Sequence, residues 1–216
     1  MSETYTPDNL FAGDVLPQPV VPGTLASGQD LDRGALVGKI LRALGGALVV
    51  AGGSGDGTIT NAAMGAKAQI GLYTLTAITV SAPDASVFSV HAPNGERLAD
   101  AVAGTTYDTE HIGCDLTNGD TDFVAGDSFT VEIEDGSGSL AQADSTAVDG
   151  TELLFGVLAD DCDASLADVV CEVYEGGEFN DAALGYAGSD DADTWADQGR
   201  ALGIIIRENV ATDGTY

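Results

Sequence analysis

Glycine interrupts this chain too often for it to be built on long helices. The 216 residues include 29 glycines, and each glycine inside a helix or strand costs roughly 0.5–1 kcal/mol relative to alanine. Between them lie short runs in which apolar and polar residues alternate with the period of a strand. The clearest are 71–80, Val87–His91, 123–133, 153–158 and Val169–Tyr174. The Glu-, Lys- and Leu-rich periodic stretches of helical bundles are missing. The expected class is therefore mainly β, a β-dominated α+β chain. One short helix is expected over 194–202, with Asp193 or Thr194 as its N-cap, leading into Gly203-Ile-Ile-Ile206.

Two glycine-rich stretches divide the chain. Gly52-Gly-Ser-Gly-Asp-Gly57 and Gly136-Ser-Gly138 flank a block of alternating segments, as the borders of an inserted domain would. We expect a small β-domain over 54–136 set into a surface loop of a core formed by 24–53 and 137–216. Within the block, Pro93-Asn-Gly-Glu96 carries an Asn-Gly pair, which predicts a two-residue hairpin turn.

Residues 1–23 have a different character. Pro7, Pro17, Pro19 and Pro22 block helix and remove ladder donors. The apolar residues among them, including Tyr5, Leu10, Phe11, Val15, Leu16, Val20 and Val21, are too numerous for an inert tail. The segment is expected to be an extended arm that orders on a partner and does not pair with the rest of the chain as a central strand.

Charge narrows the partners. Seven basic residues face 35 acidic ones, for a formal net charge of −28, whereas nucleic-acid binding draws on a basic stripe that displaces counterions from phosphates. A nucleic-acid partner is not expected. The acidity suits either a saline environment or solubility through self-repulsion. With an apolar fraction of 44%, near the globular average of ~45–50%, the chain should still fold. It has no apolar run long enough for a membrane span and no signal-peptide pattern at Met1-Ser-Glu-Thr-Tyr5, so synthesis in the cytosol without export by that route is expected, with no membrane partner.

Catalytic chemistry has little to stand on. Leu48-Val-Val-Ala-Gly-Gly-Ser-Gly-Asp-Gly57 resembles a strand entering a phosphate loop only superficially, since it lacks G-x-G-x-x-G spacing and a GK[ST] ending. His91 and His111, the two histidines, accompany no nucleophile motif. His111-Ile-Gly-Cys114 offers at most two metal ligands, and the acidic turns at 115–127 and 160–163 do not follow a calcium-loop pattern. Cys114, Cys162 and Cys171 form an odd set without C-x-x-C spacing, which points to buried free thiols. No enzyme activity, cofactor or metal is expected.

Several stretches resemble a known family. They are 5–14, Leu25-Ala-Ser-Gly-Gln-Asp-Leu-Asp-Arg-Gly34 with Gly38-Lys39, 147–158, Gly177-Glu-Phe-Asn180 and Arg200-Ala-Leu-Gly-Ile-Ile205. In these the chain is similar to the head decoration protein D family of bacteriophage lambda, in a larger form carrying an insertion. The resemblance lies on both sides of 54–136 and not within it. It implies a compact β decoration (cement) domain that binds the exterior of the expanded viral capsid as a homotrimer at three-fold and quasi-three-fold sites. It also implies an arm that engages the major capsid protein, for which Tyr5, Leu10, Phe11, Val15 and Leu16 are the candidate contacts. The location implied is the outer surface of the virion after synthesis in the host cytoplasm. An alternative is an adhesion module that binds a host surface or glycans through the inserted domain, with Tyr73, Phe88, Tyr107, Phe123 and Phe129 as candidate stacking surfaces. Phe88 and Phe129 lie in strand patterns and are expected in the core.

Overall fold

The computed structural model describes residues 9–12, 20–45, 49–50, 55–80 and 85–208. The fold is mainly β, with one α-helix near the C-terminus. In chain order the strands begin with β1 (Val20–Leu25), β2 (Asp30–Leu31), β3 (Leu36–Lys39), β4 (Arg42–Leu44), β5 (Val49–Val50), β6 (Thr58–Met64), β7 (Gly71–Thr79), β8 (Val87–His91) and β9 (Ala101–Val102). They continue with β10 (Thr106–Asp108), β11 (Ile112–Thr117), β12 (Ser128–Asp135), β13 (Leu140–Gln142), β14 (Leu154–Leu158), β15 (Cys162–Asp163), β16 (Val169–Tyr174) and β17 (Gly177–Asn180). A 3-10 turn (Asp181–Ala183), helix α1 (Ala192–Leu202) and β18 (Ile204–Arg207) complete the order.

The chain divides into two compact units, unit 1 from Met1–Ile40 with Gly138–Tyr216 and unit 2 from Leu41–Ser137. The inserted segment therefore starts earlier than the glycine run at 52–57 suggests. β4 and β5 both pair with β12, with Ile133 opposite Leu44 and Phe129 opposite Val50, so residues 41–50 belong to the sheet of unit 2. That pairing is non-local, and local composition carries no trace of it.

Unit 1 is a closed barrel in the order β1-β13-β3-β14-β16. Closure removes free edges, the exposed feature of any open sheet. Its interior holds Leu25, Val37, Leu140, Leu158, Cys162, Cys171 and Val173, all buried. A second cluster collects Leu10, Leu36, Val157, Phe179, Trp195 and Ile204. Helix α1 covers this cluster through Trp195, which is fully buried. The helix starts two residues earlier than its apolar pattern indicates. Asp191, not Asp193 or Thr194, is the N-cap: its carboxylate accepts from the Thr194 backbone N–H at 3.0 Å, and the Thr194 side chain completes a capping box. Gly203, at φ +83°, ends the helix in the left-handed conformation that glycine adopts most readily.

Unit 2 has two sheets. One runs β4-β12-β7-β8-β9, with β5 also on β12, and the other is β10-β11-β6. Alternation along β7 and β12 points Tyr73, Leu75, Ala77, Phe129, Val131 and Ile133 inward, where they meet Ile59, Ile112, Cys114 and Leu116 from the smaller sheet. Phe88, Phe123 and Phe129 form an edge-on aromatic cluster with centroids 5.0–5.9 Å apart. The loop after β8 differs from the expected two-residue turn. Gly95 has φ +84° while Asn94 is not left-handed, Gly95 N–H donates to the Ala92 carbonyl, and Ala92 N–H donates to that of Glu96. This is a three-residue loop with a glycine bulge.

Candidate docking surface

The arm expected at the N-terminus is fastened to unit 1 at both places where it is described. Phe11 bridges Phe179 in antiparallel fashion, Ala12 N–H donates to the Glu178 carbonyl at 3.0 Å, and Asn180 N–H donates to the Leu10 carbonyl at 2.9 Å. The Asn180 side-chain amide adds a bond to the Asn9 carbonyl at 3.1 Å. Leu10 is 1% exposed. The Phe11 ring meets Tyr174 edge-on at 5.4 Å and Phe179 at 5.6 Å, with the Arg33 guanidinium 5.9 Å from its centroid. Leu10 is thus covered by its own unit, while Phe11, packed against Tyr174 and Phe179, stays half-buried. Tyr5, Val15 and Leu16 lie outside the described residues.

The proline argument is also corrected at 20–23. Val20–Leu25 is a barrel strand, with Pro22 opposite Glu172 and Gly23 opposite Cys171. Proline is tolerated because the other neighbour of β1, β13, reaches it only at Leu25, so the strand has an open flank at Pro22. The outward positions of this pair are mixed: Val20, 39% exposed, lies opposite Tyr174 at one end, Val170, 71% exposed, lies opposite Thr24 at the other, and Pro22 faces Glu172 between them; Leu166, in the loop before β16, is 95% exposed. Asp160, Asp161, Asp163 and Glu172 are close by in sequence and structure, around a concavity of about 260 Å³. Val169 and Val170 beside these carboxylates in one concavity suit a protein partner with apolar and basic groups.

Unit 2 offers a different surface. β6 carries an extra residue opposite β11, where the register shifts between Gly113 and Asp115. Asn61 sits in this bulge at φ +51°, a left-handed conformation that asparagine tolerates better than most residues. Its amide donates to the Asp115 carboxylate at 2.7 Å. That bond, followed by one from Thr106, holds the Asp115 carboxyl below its usual range. Around this pair, Thr60, Thr105, Thr106 and Thr117 line a shallow polar cleft of about 580 Å³.

No family model and no curated protein matches this chain. Two crystal structures of FlgL from Xanthomonas campestris align with it at 14% and 13% identity, each with a TM-score of 0.30. The alignments cover 51% and 52% of this chain and 33% of each FlgL chain, so the chain matches about a third of the length of those proteins.

The aromatic residues considered as stacking surfaces are all internal: Tyr73 and Phe88 are 0% exposed and Tyr107 6%. Phe123 and Phe129 are buried with them. Tyr73 spends its hydroxyl on the Gln69 backbone N–H at 2.7 Å, and Tyr107 donates to the Ala99 carbonyl at 3.0 Å. Among the described residues no group of three or more His, Cys, Asp or Glu side chains is arranged to hold a metal ion. The Cys114 thiol points into the core, where burial, and secondarily Asp115, pushes its pKa up to about 12, away from the thiolate form that metals and electrophiles need. No helix of the described residues is long and apolar enough to cross a membrane.

Proposed function

We propose that this chain is a capsid decoration protein that binds the outside of an expanded viral head as a trimer at three-fold and quasi-three-fold sites and stabilises the shell through unit 1. The observation that carries this reading is where the family-like stretches fall. Except for 5–8, 13 and 14, which lie outside the described residues, they come together in unit 1 although residues 41–137 separate them in sequence.

They also occupy positions that only particular residues can fill. Gly34, at φ +90°, faces the Ala183 carbonyl with no room for a Cβ, and a Cβ added at Gly38 would lie 2.8 Å from the Thr151 and Leu153 backbone. Phe179 and Ile204 are fully buried side by side in one cluster. A resemblance of this kind is to a fold and its packing, and it supports the family's role for the unit that bears it.

The exposed apolar side chains of Leu166 and Val170, in and before β16, are the surface we assign to the shell. Three copies of a modest contact bind together far more tightly than one, because after the first has engaged the others act at a high effective concentration. The double variant Leu166→Asp, Val170→Asp tests this assignment. It should leave the fold intact and lower occupancy on purified heads at least tenfold, read from electron density of decorated and bare heads. Full occupancy would reject this surface, and density at five-folds or as isolated monomers would reject the trimer.

A second reading, adhesion to a host surface or glycans through unit 2, has lost its aromatic platform. What favours it is the hydroxyl-lined cleft around Asn61 and Asp115. A glycan array probed with isolated unit 2 separates the two readings.

A further inference from the structure

Two of the three cysteines lie together. The hairpin of β14 and β16 pairs Leu158 with Val173 and continues through the Ala159 N–H bond to the Glu172 carbonyl at 2.9 Å. The chain then leaves the ladder and returns between 160 and 171. Cys162 stands at the outgoing foot of this excursion, in β15 against Leu31, and Cys171 at its return, in β16 against Gly23. Their side chains belong to one buried cluster, and the Cys171 thiol approaches the Gly23 carbonyl at 3.5 Å. Both are largely buried, at 6% and 8% exposure, yet both line the same surface concavity. Cys114 is in the other unit.

We propose that Cys162 and Cys171 are a redox-active dithiol that closes to an intramolecular disulfide and locks the 162–171 excursion onto the barrel. This does not depend on the capsid reading. The oxidant is a small-molecule disulfide, RSSR. One protein thiolate attacks a sulfur of RSSR, breaking its S–S bond and expelling RS⁻. The second protein thiolate then attacks the protein sulfur of the mixed disulfide and expels the other RS⁻. The protein dithiol is oxidised, RSSR is reduced to two RSH, and the two thiol protons end on the released thiols.

The surroundings set the rate. Burial, and then the neighbouring Cys162, pushes the Cys171 pKa up to about 11, so at neutral pH little thiolate is present and closure is slow. Its rate should climb about tenfold per pH unit below that value. The mouth is acidic, with Asp160, Asp161, Asp163 and Glu172, so a cationic disulfide should react faster than an anionic one, and salt should erase the difference.

The test uses the full chain treated with cystamine or oxidised glutathione, quenched in acid, denatured and alkylated. Intact mass should show three alkyl groups before oxidation and one afterwards, with Cys114 carrying it and the 162 and 171 peptides crosslinked. Cystamine should act faster than glutathione, and the gap should close in high salt. Cys114→Ser should still close the ring, whereas Cys162→Ser should not. Three alkyl groups after oxidation, a persistent mixed disulfide, or crosslinks between molecules would each overturn the proposal.

Discussion

Unit 2 is written in one continuous stretch and has one core, whereas unit 1 is assembled from two distant stretches and has two. The contrast extends to their surfaces. Unit 1 presents exposed valines and carboxylates around a pair of thiols, and unit 2 a polar cleft around a bulged asparagine. A continuous segment with its own core can be gained, lost or replaced as a piece. A discontinuous one cannot, because each half lacks the partners of its strands.

The largest expected effect comes from cutting at the right place. Replacing 41–137 by a short glycine linker should leave unit 1 cooperatively folded, since Gly138 N–H already donates to the Ile40 carbonyl at 2.9 Å and the ends meet. Removing only 54–136 strands β4 and β5 without β12, and that protein should aggregate. Urea unfolding followed by the fluorescence of Trp195, the single tryptophan, reports unit 1 directly. Equal behaviour of the two deletions would erase the boundary.

Next come single truncations in the cores. Phe179→Ala should lower the stability of unit 1 by about 3–5 kcal/mol, and Phe88→Ala should do the same to unit 2. The Trp195 transition should move only in the first, and hydrogen exchange in β7 and β12 should rise only in the second. A common shift would show one cooperative molecule.

Glycine provides a finer comparison within unit 1. Gly28 and Gly34 have nearly the same φ, +91° and +90°, but a Cβ at Gly28 meets open space and one at Gly34 meets the Ala183 carbonyl. Alanine at 28 should cost about 1–2 kcal/mol, the ordinary penalty of a left-handed residue, and alanine at 34 clearly more. Thermal midpoints of the two variants decide it.

In the sheet of unit 2, Asn61→Gly relieves the left-handed conformation but removes the amide donor to Asp115. The Asp115 pKa should rise toward its ordinary value in a carboxyl NMR titration. An unchanged value would shift the cause to Thr106.

The smallest effect is that of acid on unit 1. Hydrogen bonds from the Thr146 side chain and backbone hold Asp144 low, those from the Ser165 side chain and backbone do so for Asp163, and the Thr194 backbone N–H and then its hydroxyl do so for Asp191. A carboxylate lower in the folded than the unfolded state contributes stability that is complete above the unfolded value, 3.8 here, and is lost as pH falls through the folded one. These groups are solvent-exposed, so each contribution is small. The urea midpoint of unit 1 should decline as the pH falls below the unfolded value of 3.8, and Thr146→Ala should flatten part of the slope.

Much of this architecture is legible in the amino-acid sequence wherever a strand is long and half-buried. β7, β12 and β16 are visible as alternation, because each buries one face, whereas β8 and β14 bury consecutive residues and show as short apolar runs. The two-residue strands β2, β5 and β15 are not, since two residues carry no period. β1 is hidden by Pro22, whose tolerance depends on a neighbour being absent along that flank. Leu10 and Phe11 were legible as apolar residues needing cover, but the cover is Phe179 and Tyr174, more than 160 positions away. The bulge at Asn61 and the meeting of Cys162 with Cys171 are both products of register, which no local pattern reveals.

The hydrogen-bonded crossing at 40 and 138 also bears on the order of events during synthesis. β3 leaves the ribosome well before its partner β13, and the intervening chain is a long loop whose closure carries an entropic cost. Once unit 2 has folded, the Gly136 N–H reaches the Leu41 carbonyl at 2.9 Å, and the two ends are held within a few residues of Ile40 and Ser139. The insertion then acts as a pre-tied knot in the thread, shortening the effective contact order of the barrel around it. A mutation that slows unit 2 should therefore delay closure of unit 1, even where it touches none of its residues.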